Sequence, residues 1–170
     1  MKPQLYFKLL IASLVLSFSC TDSSTEETEE KPNQKNEELK IQQLNFPKQK
    51  ILLSAEASEA VEEWTLYQAM EAEIDRMEKF KLEDLIANSS TIYKASDTLQ
   101  KTLPQRLRNK PVSARLKVLR SKAAQLKQLA ERQQPDYKEM QKVGSEIPLD
   151  FYNLNIQLNE IFLDVSIFEE

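Results

Sequence analysis

From residue 54 onward, the hydrophobic residues recur at the spacing of an α-helix. At about 100° per residue they fall on one broad face over residues 54–103, and the phase continues through Asn88, Ser89 and Ser90. The pattern predicts one long helix or two nearly collinear helices, with continuity favoured. Pro104 should end whichever helix precedes it, because proline cannot extend the backbone hydrogen-bond ladder.

A second helix is predicted to begin at Pro111, since proline is favoured at the first helical position. Tyr137 and Met140 continue its apolar stripe beyond Pro135, which favours a kinked helix over a full break. Gly144 then occupies the position expected of a C-terminal cap.

The segment 149–168 is the most apolar part of the folded region, and its apolar residues lie on two opposite sides of a helix. Such a helix is typically clasped between two others at the centre of a bundle. It also carries a ladder of amides: Asn153, Asn155, Gln157 and Asn159. Buried amides would need hydrogen bonds and would fix helix register, whereas exposed amides would suit a sugar or protein partner. The chain is therefore predicted to be all-α, an antiparallel bundle of three or four helices.

The first twenty residues have a different character. Lys2 and Lys8 flank the start of a largely apolar run over residues 9–18. This run has the length of a signal-peptide core and is shorter than the roughly twenty residues that span a bilayer. Small residues, Ser17 and Ser19, precede the only cysteine of the chain, Cys20.

The sequence Leu16-Ser17-Phe18-Ser19-Cys20 resembles the lipobox of bacterial lipoprotein signals. Ser17 and Phe18 stand where the common pattern has Leu and then Ala or Ser, and this looser form is similar to lipoboxes of Bacteroidota-type envelopes. The resemblance covers residues 1–20 only. It implies a signal peptide over residues 1–19 and a Cys20 that is diacylated, for example with palmitate.

The same resemblance implies an outer-membrane lipoprotein at the periplasmic face or the cell surface, with the membrane as a partner through Cys20. An acidic stretch after the cysteine is associated with surface export in such envelopes. Two acyl chains suffice for stable anchoring without a transmembrane helix. The alternatives are an ordinary secreted protein cut before Cys20 and an uncleaved N-terminal anchor.

Residues 20–50 are predicted to form a flexible linker that separates the lipidated cysteine from a helical bundle over residues 51–170. Between Cys20 and Glu38, seven acidic residues accompany two lysines, and apolar side chains are absent. Such a disordered acidic tether buries nothing that would offset its chain entropy.

Charge is distributed unevenly within the predicted bundle. Residues 101–132 contain ten basic residues and one acidic residue, while residues 54–75 contain seven acidic residues and no basic one. One interpretation is that acidic and basic helices lie side by side and pair across a shared seam. The other is that part of the basic helix faces outward and binds a polyanion, with Arg106, Arg108 and Lys110 as the candidate anion-binding residues.

Several kinds of chemistry are disfavoured by composition. The chain has no His and only one Gly, so a Ser–His–Asp triad, an ordinary zinc site and a glycine-rich phosphate loop are all excluded. We expect no catalytic residues, no metal site, no cofactor and no enzyme activity. Nucleic-acid binding is also not expected, because the net charge is −4 and the basic stretch lacks interleaved aromatic residues.

Other polar and aromatic positions have ordinary interpretations. Four glutamates have spacings that suit a hard cation and are interpreted as a solvated helix face: Glu56, Glu59, Glu62 and Glu63. Trp64 and Tyr67 are predicted to lie in the core. Thr98, in the sequence Asp97-Thr98-Leu99, matches a short O-glycosylation motif of Bacteroidota envelopes and is a candidate modification site.

Two functional hypotheses follow. The first is a lipid-anchored, non-catalytic binding or adaptor module that docks onto another envelope protein. The second is a polyanion- or stress-sensing, chaperone-like module of the periplasm that uses the basic helix at residues 101–132. The first predicts an exposed apolar or amide patch, and the second predicts binding that weakens steeply with ionic strength.

Overall fold

The computed structural model describes residues 38–163; the predicted signal peptide, Cys20 and most of the acidic linker fall outside this part. Residues 38–40 are helical and are followed by an extended segment. The chain then forms α1 (Ala55–Val61), α2 (Thr65–Met77), α3 (Leu82–Lys101), a 3₁₀ turn (Gln105–Leu107), α4 (Lys110–Ala130) and α5 (Tyr137–Glu160). The all-α prediction is confirmed: among the described residues, the only β-type pairing is an isolated bridge between Gln43 and Lys81.

The three longest helices, α3, α4 and α5, form an antiparallel bundle in which α4 packs against both of the others. Short connections over residues 102–109 and 131–136 reverse the chain between them. Helix α2 packs against α3 and α5, and α1 lies against α5. The prediction of a bundle with three or four helices is confirmed, with α2 as the shorter fourth member.

One hydrophobic core runs through the bundle. Its largest fully buried side chains include Tyr67, Phe151, Met70, Ile74, Met77, Leu82, Leu85, Ile92 and Leu99. Trp64 also belongs to this core, which confirms the prediction for the aromatic pair at positions 64 and 67.

Helix α4 begins where the sequence predicted a helix, to within one residue. Pro111 lies in its first turn, and the side chain of Asn109 caps it by accepting a hydrogen bond of 2.7 Å from the N–H of Val112. Proline is tolerated here because the first N–H groups of a helix have no partner within it.

The prediction of one helix or two collinear helices over residues 54–103 was wrong, because this range contains three helices. The first break follows Val61, where the chain turns and buries Trp64. The indole N–H of Trp64 donates a hydrogen bond of 3.0 Å to the hydroxyl of Thr102. Burial of this large side chain favours the turn over continued helix.

The second break, between α2 and α3, is paired with residues far upstream. The N–H of Leu44 donates to the carbonyl of Phe80 at 2.8 Å, and the N–H of Leu82 donates to the carbonyl of Gln42 at 3.0 Å. Backbone groups that a continuous helix would pair internally are therefore satisfied by another segment.

Continuity through residues 88–91, by contrast, is confirmed. The amide of Asn88 donates to the carbonyl of Asp84 at 2.8 Å, and the hydroxyl of Ser89 donates to the carbonyl of Ile86 at 3.0 Å. These side chains bond back to the preceding turn, so the helix accommodates them without a break.

The prediction of one kinked helix through Pro135 was wrong, because α4 ends at Ala130 and α5 begins at Tyr137. Proline disfavours the helical conformation of the residue before it. The side chain of Asp136 then caps the new helix by accepting a hydrogen bond of 3.0 Å from the N–H of Glu139.

Gly144 was predicted to cap a helix, but it lies inside α5, as does Pro148. A Cβ atom at Gly144 would lie 2.6 Å from Cδ1 of Leu85 and 3.1 Å from Cδ1 of Leu44. The glycine is therefore explained by the close packing of these two side chains on α5 and not by a chain reversal.

The segment 149–168 was predicted to be buried between helices on two sides, and this was also wrong for the described residues. Phe151 and Leu154 lie in the core, whereas Leu149 and Ile156 are 47% and 38% exposed. Leu163, just beyond the end of α5, is 68% exposed and continues the seven-residue spacing of these two residues. The segment is therefore covered on one side only.

Candidate functional site

An extended segment, residues 44–54, lies across α2 and α5, and we call it the strap. Leu44 at its start is buried in the core. The ring of Phe46 meets the ring of Tyr152 edge-on, with 6.5 Å between centroids. Residues 44–50, which the sequence places in the predicted linker, thus contact the bundle.

Two asparagines one turn apart on α5 hold the end of the strap. The amide of Asn155 donates to the carbonyl of Ile51 at 2.8 Å, and the amide of Asn159 donates to the carbonyl of Leu52 at 3.0 Å. The side-chain oxygen of Asn159 also accepts a hydrogen bond of 2.8 Å from the N–H of Ser54. These bonds satisfy backbone groups that have no partner in a sheet or helix.

The middle of the strap is joined to α2 by charge. The ammonium of Lys50 lies 2.9 Å from a carboxylate oxygen of Asp75 and 3.1 Å from one of Glu78. It also lies 5.8 Å from the ring centroid of Phe46. Hydrogen bonds to Asp75 and then Glu78 raise the pKa of Lys50 above its ordinary value.

Asn155 also connects the strap to the aromatic core. Its side-chain oxygen accepts a hydrogen bond of 2.8 Å from the hydroxyl of Tyr67, whose ring stacks on Phe151 with 5.3 Å between centroids. Burial raises the pKa of Tyr67, so this hydroxyl stays a neutral donor. Of the predicted amide ladder, Asn155 is therefore a core residue, and Gln157 is a surface residue that donates to Glu160.

A cavity of about 210 Å³ lies beneath the strap. The apolar and aromatic side chains that line it are Ile51, Leu52, Ile74 and Phe151. The polar side chains that line it are Lys50, Glu71, Asp75, Tyr152 and Asn155. We call it the strap cavity.

Tyr152 lines the strap cavity, but its hydroxyl group is closed off from it. Tyr152 is only 6% exposed, and its hydroxyl is buried without a hydrogen-bond partner among the described residues. Burial raises the pKa of this hydroxyl, the charge of Lys50 lowers it, and the charges of Asp75 and Glu71 raise it further. A buried hydroxyl without a partner destabilises the folded state by about 1–3 kcal/mol.

Glu71 also lines the strap cavity without a hydrogen-bond partner. Its side chain is half-buried and makes no hydrogen bond or ion pair with the described residues. Burial, and then the charge of Asp75, raise the pKa of this carboxyl group. Glu71 therefore presents an uncompensated acidic group to the cavity.

A larger, more open cleft of about 540 Å³ adjoins the strap cavity, since Leu52 and Glu71 line both. Two of the four glutamates that the sequence assigned to a solvated face, Glu59 and Glu62, lie on its wall with Tyr67. The cleft is therefore lined by three carboxylates, including that of Glu71, together with apolar side chains such as Leu53 and Val61.

The three predicted anion-binding residues do not form one cluster. Arg106 donates to the carbonyl of Ala60 near the end of α1, and Arg108 donates to the carbonyl of Leu103 at 3.1 Å. Lys110 is exposed at the start of α4. Arg106 therefore has a structural contact with α1, separate from the other two cations.

Arg108 and Lys110 instead share an open surface groove of about 540 Å³ with Lys117, which lies two turns further along α4. Asn109 and Ser113 also line this groove. Among the described residues, no acidic side chain pairs with Lys110 or Lys117. The groove is therefore a surface on which two lysines carry positive charge that no acidic side chain of the described residues compensates.

The interpretation of a basic helix lying beside the acidic helices was wrong. Helix α4 packs between α3 and α5, whereas the acidic residues 54–75 lie on α1 and α2. Arg120 of α4 bonds Asp97 of α3 at 2.6 Å, and Lys122 pairs with Glu146 of α5. The basic residues of α4 therefore pair with acidic residues of α3 and α5, and not with those of α1 and α2.

Thr98, the predicted glycosylation site, is exposed on α3, and its hydroxyl donates to the carbonyl of Lys94 at 2.7 Å. The neighbouring carboxylate of Asp97 is bound by Lys101 and Arg120. Modification of Thr98 stays a prediction.

Within residues 38–163, His, Cys, Asp and Glu side chains form no group of three or more placed to hold a metal ion. None of the helices in this part of the chain has the length and apolarity needed to cross a membrane. A scan against protein-family models, a search of curated proteins and a search of solved structures each found no match to this chain.

The sequence identified Asn155 and Asn159 as members of a ladder but gave no indication of Tyr152 or Glu71 as site residues. In the sequence, Tyr152 is one of many apolar residues in its segment, and Glu71 is one of several acidic residues in a range without basic ones. The strap brings them into one cavity, and its position depends on contacts between residues about a hundred positions apart, such as Asn155 and Ile51.

Proposed function

We propose that the protein is a lipid-anchored, non-catalytic binding module of the bacterial cell envelope, held at the outer membrane through Cys20, and that it binds its ligand or partner in the strap cavity and the adjoining cleft. The resemblance of residues 1–20 to a lipoprotein signal supports the anchor. The strap cavity, with the half-buried and unpaired carboxylate of Glu71 on its wall, supports the binding site and carries the proposal.

An unpaired carboxylate next to a cavity destabilises the folded state when no ligand is bound. Glutamine at position 71 would keep the size of the side chain without this uncompensated charge. Partly buried charges are usually paired, so an unpaired one at a cavity favours a site that a ligand completes. The open cleft gives a ligand or a partner access to this position.

The anchor is tested in cells by feeding an alkyne-tagged fatty acid and comparing the full-length chain with Cys20→Ala. We expect the wild-type protein to carry the tag and to sediment with membranes, and the variant to lose both properties. A wild-type protein without the tag would contradict the lipid anchor.

The binding site is tested by in-cell crosslinking of the full-length protein with a photoreactive amino acid at position 52 or 118. Leu52 is 73% exposed at the rim of both cavities, whereas Val118 is 43% exposed on α4 outside them. A discrete adduct at position 52 that requires Cys20, with none at position 118, supports the proposal. Equal adducts at both positions would contradict a site at the cleft.

A second candidate function is polyanion binding at the basic groove, and the observation that favours it is the shared placement of Arg108, Lys110 and Lys117. Retention of the wild type on lipopolysaccharide vesicles should then weaken as salt is added, and triple charge reversal of these residues should abolish it. Charge reversal of Arg106, which lies apart, serves as the matched control. Retention that is unchanged in the triple variant would dismiss this candidate.

A further inference from the structure

We propose that the protein forms an antiparallel homodimer in which the outward face of α5 packs against the same face of a second copy. We call this face the α5 stripe, and it consists of the exposed residues Lys142, Leu149, Ile156, Glu160 and Leu163. The inference goes beyond the proposed function, because it concerns a different surface and does not depend on the strap cavity.

The apolar residues of the α5 stripe are aligned along the helix. Leu149, Ile156 and Leu163 recur every seven residues, which is close to two helical turns, so they lie on one side over about 21 Å. Leu154 and Leu158, on the opposite side of α5, lie in the core. Large apolar side chains that recur every seven residues on an exposed face are typical of a helix that packs against another helix.

The charges of the stripe are complementary to a second copy in one orientation only. Lys142 lies near the beginning of α5 and Glu160 is its last residue, and neither forms an ion pair with the described residues. In an antiparallel pair of α5 helices, each Lys142 lies opposite Glu160 of the second copy. A parallel pair would bring the two lysines together and the two glutamates together, which is unfavourable. Charge therefore selects a second copy in the antiparallel orientation.

The register that pairs Lys142 with Glu160 also brings the apolar residues together. Its two-fold axis lies near position 151, so Leu149 is within about one helical turn of both Leu149 and Ile156 of the second copy. Asn153 lies beside this axis, is half-buried, and has no side-chain hydrogen bond in the described structure. Its amide is therefore available to the second copy, and a polar side chain between paired helices fixes their register.

A groove at the beginning of the stripe accommodates Leu163 of the second copy. The groove has a volume of about 500 Å³, and its lining residues include Lys138 and Lys142 of α5 and Asn45 of the strap. In the same register, Leu163 of the second copy lies about one turn beyond Lys142, beside Lys138. It can pack there against the aliphatic parts of the two lysines.

The size of the interface predicts a weak dimer. The stripe lies on one helix and is about 32 Å long from Lys142 to Leu163. Such a contact is smaller than a standard stable interface, which buries about 800 Å² on each partner. We therefore expect monomer and dimer to exchange, with a dissociation constant in the micromolar range.

The orientation is tested by cysteine crosslinking of the full-length protein in cells. A chain with both Lys142→Cys and Glu160→Cys should form disulfide-linked dimers when a mild oxidant is added, because the two positions meet across the antiparallel pair. Either substitution alone should form none, since the two copies of one position are then about 27 Å apart. Wild type, whose only cysteine is Cys20, gives the background.

The apolar contact is tested in the same double-cysteine chain. Leu149→Asp should reduce the crosslinked fraction roughly tenfold, because it would bury a charge in the interface. Val118→Asp is the matched control, since Val118 is 43% exposed on α4 and lies outside the stripe. It should leave the crosslinked fraction within about twofold of the parent chain. Circular dichroism checks that both variants are folded.

The contribution of charge is tested by sedimentation velocity of the purified full-length protein, without the added cysteines. Lys142→Glu should raise the dissociation constant of the dimer about threefold or more, because it places two negative charges opposite each other. Adding Glu160→Lys to the same chain restores opposite charges at these positions and should restore the dimer. A double variant that dimerises no better than Lys142→Glu would contradict the pairing of these residues.

Three crosslinking results would overturn the inference. They are no dimer in the double-cysteine chain, equal dimer in a single-cysteine chain, and a crosslinked fraction that Leu149→Asp leaves unchanged. The second result would mean that the copies meet in another orientation. A crosslink to a different protein, with none to a second copy, would also overturn the inference, because the stripe would then dock another kind of partner.

Discussion

The hydroxyl of Tyr67 on α2 donates a hydrogen bond of 2.8 Å to the side-chain oxygen of Asn155 on α5, in the interior of the bundle. The same asparagine donates to the carbonyl of Ile51 in the strap. One buried amide therefore joins two helices and the segment that covers the strap cavity. Tyr152 and Glu71, which line the same cavity, have no side-chain hydrogen bond among the described residues.

The first prediction concerns Asn155. Asn155→Ala leaves the hydroxyl of Tyr67 and the carbonyl of Ile51 without a partner, so it should reduce the free energy of unfolding by about 2–4 kcal/mol. Asn153→Ala is the control, since Asn153 is half-buried on the same helix and has no side-chain hydrogen bond in the described structure. Urea denaturation measures both, and a similar loss in the two variants would contradict the role of Asn155.

The second prediction concerns the strap. Asn159→Ala removes the bonds to Leu52 and Ser54 at the protein edge, where water replaces them, so it should loosen the strap more than it destabilises the bundle. Hydrogen exchange should show lower protection of the Ser54 amide, with protection of the α4 amides unchanged. Gln157→Ala, which removes only a surface bond to Glu160, should leave both regions unchanged. Equal exchange at Ser54 in all three proteins would count against this assignment.

The third prediction separates the cations that the sequence grouped together. Arg106→Ala leaves the carbonyl of Ala60 without its partner and should cost about 0.5–1.5 kcal/mol of stability. Lys110→Ala, at an exposed position without such a bond, should change stability by less than about 0.5 kcal/mol. Thermal unfolding distinguishes the two, and identical midpoints would argue against a structural role for Arg106.

The fourth prediction concerns acid. Hydrogen bonds from Lys101, and then from Arg120, hold the pKa of Asp97 below its ordinary value. The stability that Asp97 contributes is present above its unfolded pKa of about 3.9 and is lost as the pH falls through the lower folded value. Asp97→Asn should therefore lose less stability than wild type on acidification below about pH 4. Parallel stability curves for the two proteins would refute this.

Glu71 gives the fifth prediction, with the opposite sign. Burial and the charge of Asp75 raise its folded pKa, so the ionised carboxylate disfavours the folded state at neutral pH. Below its unfolded pKa of about 4.3 the group is protonated in both states and this effect disappears. Glu71→Gln should therefore be more stable than wild type at neutral pH without ligand, and the difference should vanish in acid. A variant that is less stable at neutral pH would contradict an uncompensated carboxylate.

Local features of the sequence predicted those parts of the fold that local interactions determine. The start of α4 follows from Asn109 and Pro111, and the burial of Trp64 and Tyr67 follows from helical spacing. The break between α2 and α3 was missed because its stabilising partners, Gln42 and Leu44, lie about forty residues upstream. Pairing at that distance leaves no periodic signal in the sequence.

The candidate site was less predictable than the fold. The amide ladder pointed to Asn155 and Asn159 because several amides in an apolar segment are unusual. Tyr152 and Glu71 became site residues only because the strap crosses α2 and α5 and encloses a cavity between them. The predicted anion-binding residues separated for a similar reason, since the 3₁₀ turn directs Arg106 toward α1 and leaves Lys110 on α4.

The most direct test of the binding site is the in-cell crosslink from position 52, compared with that from position 118 and repeated in Glu71→Gln. Leu52 lies at the rim of both cavities, and Val118 lies outside them. The account predicts a discrete adduct at position 52 that is weaker in Glu71→Gln, and no adduct at position 118. Equal adducts at both positions, or an adduct at position 52 that Glu71→Gln leaves unchanged, would contradict a ligand site at the strap cavity.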